Sequence, residues 1–209
     1  ILSTVVAKGY KGLHWSMFTT DMQSAAFTDE NLAAGGIKHA IIGSILIVVT
    51  ALVISLPIGI LTAVYLTEIK GRFARPIKFL VQSMSGVPSI VAGLFILASI
   101  VYPITKFYSS FEGSLALAIL MIPTITRTSE EVLLLIPNEL REAGVALGGT
   151  QWRTVAMIVL PAARSGLVTA MILGVARIAG ETAPILLLTG GGDKINPNPF
   201  NGSLGSRPY

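Results

Sequence analysis

Long apolar runs, separated by short groups of charged residues, form the main pattern along the chain. The first run, 39–67, contains no Asp, Glu, Lys or Arg, and about 20 apolar residues are enough to cross the hydrocarbon core of a bilayer. Similar runs cover 79–105 and 154–189, and a shorter one begins at Ser114 and meets Arg127. The pattern predicts an all-α integral membrane protein with about four complete spans in this chain.

The segments between the runs predict which side of the membrane each one faces. Four basic residues directly follow the first run: Lys70, Arg72, Arg75 and Lys78. Clustered Lys and Arg beside short spans mark the cytoplasmic side. We therefore expect three parts: the end of a first span with an external loop (1–36), a transmembrane domain with a short cytoplasmic helix near 139–148 (37–192), and an external tail (193–209).

Composition narrows the class of protein. The chain has 209 residues, of which 52% are hydrophobic and 12% charged, whereas an ordinary soluble domain has about 25% charged residues. The absence of cysteine excludes disulfides, thiolate metal sites and cysteine nucleophiles. The net charge of +4 is distributed between the apolar runs, so we expect membrane lipid rather than nucleic acid around the chain. His14 and His39 are too isolated to predict a metal site or a general base.

A fixed spacing of residues marks the polar segment before the last run. Its members are Glu142, Ala143, Gly144, Gly148, Ile158, Leu160 and Pro161. Leu140, Ala143 and Leu147 give a short helix one apolar face, and Gly148 would end it. Small side chains let a second backbone approach closely, and Leu160-Pro161 would break the chain direction before the membrane. A plain amphipathic loop helix is the alternative.

The start of this segment holds two candidate helix caps. Thr128 to Glu131 has the spacing of a capping box, and Asn138 precedes Glu139 as a second N-cap candidate. Both patterns are typical of helix N-termini. The sequence therefore predicts that the span meeting Arg127 ends there and that a new helix begins.

Charged residues within the apolar runs are the main candidates for chemistry. Arg177 lies roughly 20 Å along a helix from Arg164, where a charge costs about 2.5 to 3.5 kcal/mol and is expected to face protein or water. Glu181 follows four residues later and could pair with it. Two guanidinium groups, from Arg177 and Arg127, would suit an oxyanion, and Glu181 would keep the attraction weak enough for release. A buried structural ion pair, or a simple boundary residue in the case of Arg127, remains open.

Small residues suggest a bend and a packing surface. Gly86, Pro88 and Ser89 lie near the inner end of the second run, where a gate or a simple packing kink is possible. Another group repeats at spacing four in the last run: Ala162, Gly166, Ala170 and Gly174. Such a stripe allows close helix contact, within the chain or with a partner subunit.

The spacing around Glu142 resembles the EAA motif of binding-protein-dependent ABC importer permeases, E-A-A-x3-G-x9-I-x-L-P. Only Gly144 departs, because the family usually has alanine there. Two more segments, Gly86 to Leu94 and Arg177 to Pro184, resemble the phosphate importer permeases. The Glu-Thr-Ala-Pro ending of the second favours the PstA-type subunit over its PstC-type partner.

The resemblance implies a MetI-like permease bundle in a bacterial or archaeal plasma (inner) membrane, with the family's first and last spans largely missing from this chain. It implies import of inorganic phosphate along a pathway near Arg177, Glu181 and Arg127. The EAA loop would couple the chain to two ATPase subunits, which bind ATP and Mg, so this chain would be neither an enzyme nor a cofactor binder. A second permease subunit and an extracytoplasmic phosphate-binding protein would complete the assembly.

Other functions stay open at this stage. The cargo could be sulfate or molybdate, with the same machinery. An ion-coupled secondary transporter could use Arg177 and Glu181 as its coupling site, and a membrane scaffold could use them for assembly. Gly190 to Lys194 does not match the P-loop pattern, so the energy of ATP would have to come from another chain. A docking helix in the EAA loop favours the ATP-driven importer over the other classes.

Overall fold

The computed structural model describes residues 2–10, 15–20, 36–106 and 108–189. The regular elements among these residues are all helices, which confirms the all-α prediction. In chain order they are α1 (Leu2–Gly9), α2 (Ser16–Thr19), α3 (Lys38–Ile69), α4 (Ala74–Ser85), α5 (Ser89–Thr105), α6 (Ser110–Leu134), α7 (Asn138–Ala146), α8 (Gln151–Ala162), α9 (Arg164–Ile178) and α10 (Ala183–Thr189). Residues 21–35 of the predicted external loop and the predicted tail, 193–209, lie outside the described part of the chain.

Helix α3 confirms the first predicted span. By length and composition it can cross a membrane alone, and the described part of the chain has up to three such spans if α4 with α5 and α8 with α9 each count as one. The last turn of α3, Tyr65–Ile69, is π-helical, and Lys70 then adopts a left-handed conformation with φ 50°. The span count is compatible with the predicted number without confirming it.

The second predicted span, 79–105, is not one straight helix. The chain bends by 108° between α4 and α5, which qualify as one candidate span only when they are counted together. The amides of Gly86 and Val87 close the end of α4, and the carbonyl of Pro88 accepts a hydrogen bond from the amide of Val91. Pro88 therefore lies at the beginning of α5, where an N–H group would have no partner within the helix, so its absence loses no hydrogen bond. It does not kink the middle of a longer helix.

Helix α6 continues where the sequence predicted an end. It runs without interruption through Arg127 to Leu134, so the capping box predicted at Thr128 to Glu131 is wrong. Ser129 is buried inside the helix, and Glu130 pairs with Lys78 of α4 at 2.6 Å. The side chain of Glu130 thus serves a tertiary contact, and Arg127 lies within the helix, not at its boundary.

The described residues fall into two compact units, and residues 48–92 and 114–184 form the one that contains every candidate site residue. A buried cluster joins α3, α6 and α8 in this unit; it consists of Ala63, Val64, Leu133, Val155, Val159 and Ala163. Gly59 of α3 lies against Ile125 of α6. Helix α6 is therefore the central element against which its neighbours pack.

The small-residue stripe of α9 also packs against α6. Gly166 lies against Val132, and Gly174 lies against Ile125 and Met121. The order of these contacts shows that α6 and α9 run antiparallel. Ala162 is exposed and precedes a bend of 73° between α8 and α9, so it does not belong to this surface.

Candidate functional site

Helix α7 supplies the short inner-loop helix that the sequence predicted near 139–148. It begins at Asn138, after Pro137 in an extended conformation, and ends at Ala146. Asn138 is thus the first helical residue and not the N-cap. Gly148 follows with φ 83°, and its amide donates a hydrogen bond to the carbonyl of Val145 at 2.9 Å. A left-handed glycine just after the last turn is a common helix stop, so its predicted role in ending the helix is confirmed.

Gly144 faces the chain's own helix α8. A Cβ atom at this position would lie 2.5 Å from Cγ2 of Thr154 and 2.9 Å from Cδ1 of Ile158. Glycine therefore allows α7 to lie directly on α8. The close approach that the small side chain of Gly144 was expected to allow is thus made by its own helix α8, through Thr154 and Ile158.

The predicted apolar face of α7 points away from its own chain. Leu140 is 40% exposed and Leu147 is 87% exposed, and Ala143 between them is exposed as well. Glu142 is exposed beside this face. Helix α7 therefore buries one side against α8 and leaves its apolar stripe uncovered, which is typical of an interaction surface.

A polar contact that sequence reasoning missed holds α7 to the end of α3. The guanidinium group of Arg141 donates to both carboxylate oxygens of Glu68, with Nη2 to Oε1 at 2.9 Å and Nε to Oε2 at 3.1 Å. It also donates to the carbonyls of Leu133 and Ile136 at 2.8 and 2.6 Å. The available signal was weak: Glu68 is the first charge after the first apolar run, and Arg141 directly precedes Glu142.

The end of the motif lies on α8. Leu160 packs against the buried cluster of α3, α6 and α8, Ile158 is half-buried and Pro161 is exposed. Pro161 follows a π-helical turn, Val155–Val159, and the change of direction comes at Ala163 before α9 begins. The predicted break is therefore present two residues after the proline.

The two arginines lie on neighbouring packed helices. Arg127, Glu131 and Leu134 are the exposed residues of α6, so Arg127 lies on the narrow face that its own chain leaves uncovered. Arg177 is exposed in the last turn of α9. Because Ile125 contacts Gly174 and the helices are antiparallel, the two arginines differ in depth by about 7.5 Å at 1.5 Å per residue.

Glu181 does not share a helical face with Arg177. Helix α9 ends at Ile178, and Glu181 lies beyond the turn at Ala179 and Gly180, where its amide donates to the carbonyl of Ile178 at 3.1 Å. Within the described ranges, Arg177 and Glu181 form no ion pair. The predicted pair is wrong because α9 ends at Ile178, so Glu181 does not lie one helical turn after Arg177 on the same face.

Comparisons with known proteins place this arrangement in a family. A model of the binding-protein-dependent transport system inner membrane component matches residues 55–206. The whole chain is 42% identical, over 209 residues and 68% of the relative's length, to a Mycobacterium leprae protein named "Phosphate transport system permease protein PstA". A Haemophilus influenzae protein of the same name is 44% identical over 188 residues, which are 89% of this chain and 64% of the relative.

Solved structures support the fold. The permease of the methionine ABC transporter MetNI, in an inward-facing conformation, superposes with a TM-score of 0.60 at 24% identity, over 72% of this chain and 71% of that one. A second crystal form gives a TM-score of 0.57 at 25% identity, over 69% and 68% of the two chains. The family match and the identity over the full length agree with the inner-loop helix and its exposed face, and the chain therefore belongs to the inner membrane components of binding-protein-dependent transport systems.

Proposed function

We propose that this chain is the membrane-spanning permease subunit of an ATP-driven importer that moves inorganic phosphate into the cytoplasm. The observation behind this proposal is the uncovered apolar face of α7, on a helix that Arg141 holds to the end of α3. Such a surface fits a partner protein. The relatives in Mycobacterium leprae and Haemophilus influenzae are named as phosphate transport permeases, which supports phosphate as the cargo.

The proposed partner of α7 is a separate ATPase. The motif residues from Glu142 to Pro161 would form the coupling segment, with Ala143 and Glu142 on the exposed side and Leu160 packed against the buried cluster. Two ATPase subunits would bind ATP and Mg and hydrolyse the nucleotide. A second permease subunit would complete the membrane part, and an extracytoplasmic phosphate-binding protein would deliver the cargo.

The proposed pathway runs past Arg127 and Arg177. Both lie on faces that their own chain leaves open, and a charge within a membrane is stable only beside protein, water or a counterion. Guanidinium groups present paired donors to phosphate oxygens and remain charged at any working pH. Glu181, half-buried near the end of α9, would oppose anion binding and so assist release.

The joint between α4 and α5 is the proposed gate element. Gly86 and Pro88 are exposed and Ser89 is half-buried, at the point where the chain turns by 108°. A break without a continuous hydrogen-bond ladder is a place where two helices can change their angle.

Substitution of Arg177 tests the cargo pathway. We expect Arg177→Gln to lower ATP-dependent uptake of labelled phosphate about ten-fold or more, because the variant loses the paired cationic donors. Assembly with the ATPase should survive, because the exposed side chain of Arg177 forms no ion pair with any residue that the structure describes. Uptake is measured in vesicles that contain the complete transporter.

The matched control is Arg164→Gln, at the start of the same helix. It removes an exposed arginine far from the proposed pathway and should leave uptake unchanged. Normal uptake by Arg177→Gln would contradict the pathway. Import of sulfate or molybdate in place of phosphate by the unsubstituted transporter would contradict the cargo.

A further inference from the structure

We propose that Glu68 and Arg141 form a positioning pair that makes the inner end of α3 and the docking helix α7 move as one body. Through this pair, a movement that the ATPase imposes on α7 would reach a membrane-spanning helix directly. The inference rests on the proposed function and assigns the step to two residues outside the EAA motif.

The geometry of the contact favours a rigid joint. Arg141 binds the carboxylate of Glu68 with two nitrogens, at 2.9 and 3.1 Å, and a bidentate pair fixes orientation as well as distance. Arg141 also donates to the carbonyl of Leu133 in the last turn of α6, to the carbonyl of Ile136 just after that helix, and to Asn138 Oδ1 at 3.2 Å. One side chain thus joins α7 to α3 and to the end of α6.

Burial makes the pair hard to separate. The side chain of Glu68 is 6% exposed and that of Arg141 is 23% exposed. Breaking a buried pair leaves a charge without compensation, and this is far less favourable than breaking a pair in water. The pair between Lys78 and Glu130 is a natural comparison, because Lys78 is 55% exposed although Glu130 is 12% exposed, and solvent weakens a pair with an exposed partner.

The position of Glu68 suits a joint between helix and loop. It lies in the π-helical last turn of α3, just before the left-handed Lys70. Its backbone carbonyl accepts a hydrogen bond from Nε2 of Gln151 at 2.6 Å, so the first residue of α8 is held to the same turn. Helix α7, through Arg141, and helix α8, through Gln151, are therefore both hydrogen-bonded to Glu68.

A double-mutant cycle tests the pair in the complete transporter. We expect Glu68→Gln and Arg141→Gln each to lower the phosphate imported per ATP hydrolysed about ten-fold, with the double variant no worse than either single one. Glu130→Gln, which breaks the exposed pair, should leave the ratio unchanged. A purely structural role would lower import and ATP hydrolysis in parallel and so leave their ratio unchanged. That result, or an equal effect of Glu130→Gln on the ratio, would overturn the inference.

Cross-linking provides a second test that does not depend on the cargo. Because residues 1–209 contain no cysteine, Glu68→Cys with Arg141→Cys introduces two thiols, which a short bifunctional reagent can join. If the two sites move together, the cross-linked complex should hydrolyse ATP within about two-fold of its unlinked form. Loss of hydrolysis on cross-linking would show that the contact must open, and would overturn the inference. If the unsubstituted transporter fails to import phosphate, the proposed function fails, and the cross-linking result still decides the inference.

Discussion

Gly144 departs from the alanine that is usual in the EAA motif, and the packing around it gives the reason. The side chains of Thr154 and Ile158 occupy the space where a Cβ atom would stand. The sequence alone showed the departure but not its cause, because the residues that require it follow ten or more positions later. The glycine at this position of the motif is therefore explained by its contact with α8 of the same chain.

This packing predicts the effect of restoring the usual residue. We expect Gly144→Ala to push α7 away from α8 and to destabilise the chain by about 1 to 3 kcal/mol. Adding Thr154→Ala removes both close atoms of that side chain, and Oγ1 of Thr154 has no hydrogen-bond partner to lose, so the double variant should recover most of the loss. Thermal unfolding of the purified transporter measures both. A double variant no better than Gly144→Ala would contradict this explanation.

Single residues also show where sequence reasoning reached its limit. Arg127 and Arg177 were found because a charge in an apolar run is conspicuous, and the structure places them on packed neighbouring helices. The contact between Glu68 and Arg141 was not found, since its partners are 73 positions apart. Hydropathy and spacing report local environment, whereas such a pair depends on how three helices meet.

At the scale of helices, the apolar pattern located the elements better than their ends. It predicted α3 and α7 within a few residues. The apolar pattern treated the end of α4 and the whole of α5 as one span, because mean hydropathy does not register the turn at Gly86 and Pro88. The sequence also ended α6 too early. Tertiary contacts such as Lys78 with Glu130 support polar residues in a helix where the sequence suggested a cap.

The exposed face of α7 gives a prediction for the docking element. We expect Leu147→Glu to reduce recovery of the ATPase with the affinity-purified chain about ten-fold, because it puts a charge at the most exposed apolar side chain of this face. Val145→Glu is the control, since Val145 is 56% exposed on the other side of the helix. Equal losses in both variants would show that the docking face has been assigned wrongly.

The contact between α6 and α9 gives a prediction for helix packing. Gly166→Ala should destabilise the unit by about 1 to 3 kcal/mol, because the added methyl group meets both γ carbons of Val132. Val132→Ala in the same chain should relieve the clash. The midpoint of thermal unfolding in detergent checks both variants; an unchanged midpoint for Gly166→Ala would mean that the two helices do not pack through this glycine.

For the whole molecule, the proposed docking helix α7, the buried pair and the two arginines lie in one compact unit of residues 48–92 and 114–184. This arrangement places the proposed input of energy and the proposed path of the anion on helices that share α6 as their centre. The all-α class and the family could be recognised from sequence, because hydropathy and a spaced motif are local signals. The central position of α6 could not be predicted from sequence, since it depends on contacts between glycines of α3 and α9 and larger residues of α6.

The most direct test of this account is phosphate accumulation in vesicles that contain the complete transporter. With the phosphate-binding protein on the outer side and ATP and Mg on the ATPase side, labelled phosphate should accumulate, and it should stop when the ATPase is omitted. Accumulation that continues without the ATPase would contradict the claim that α7 couples this chain to ATP hydrolysis.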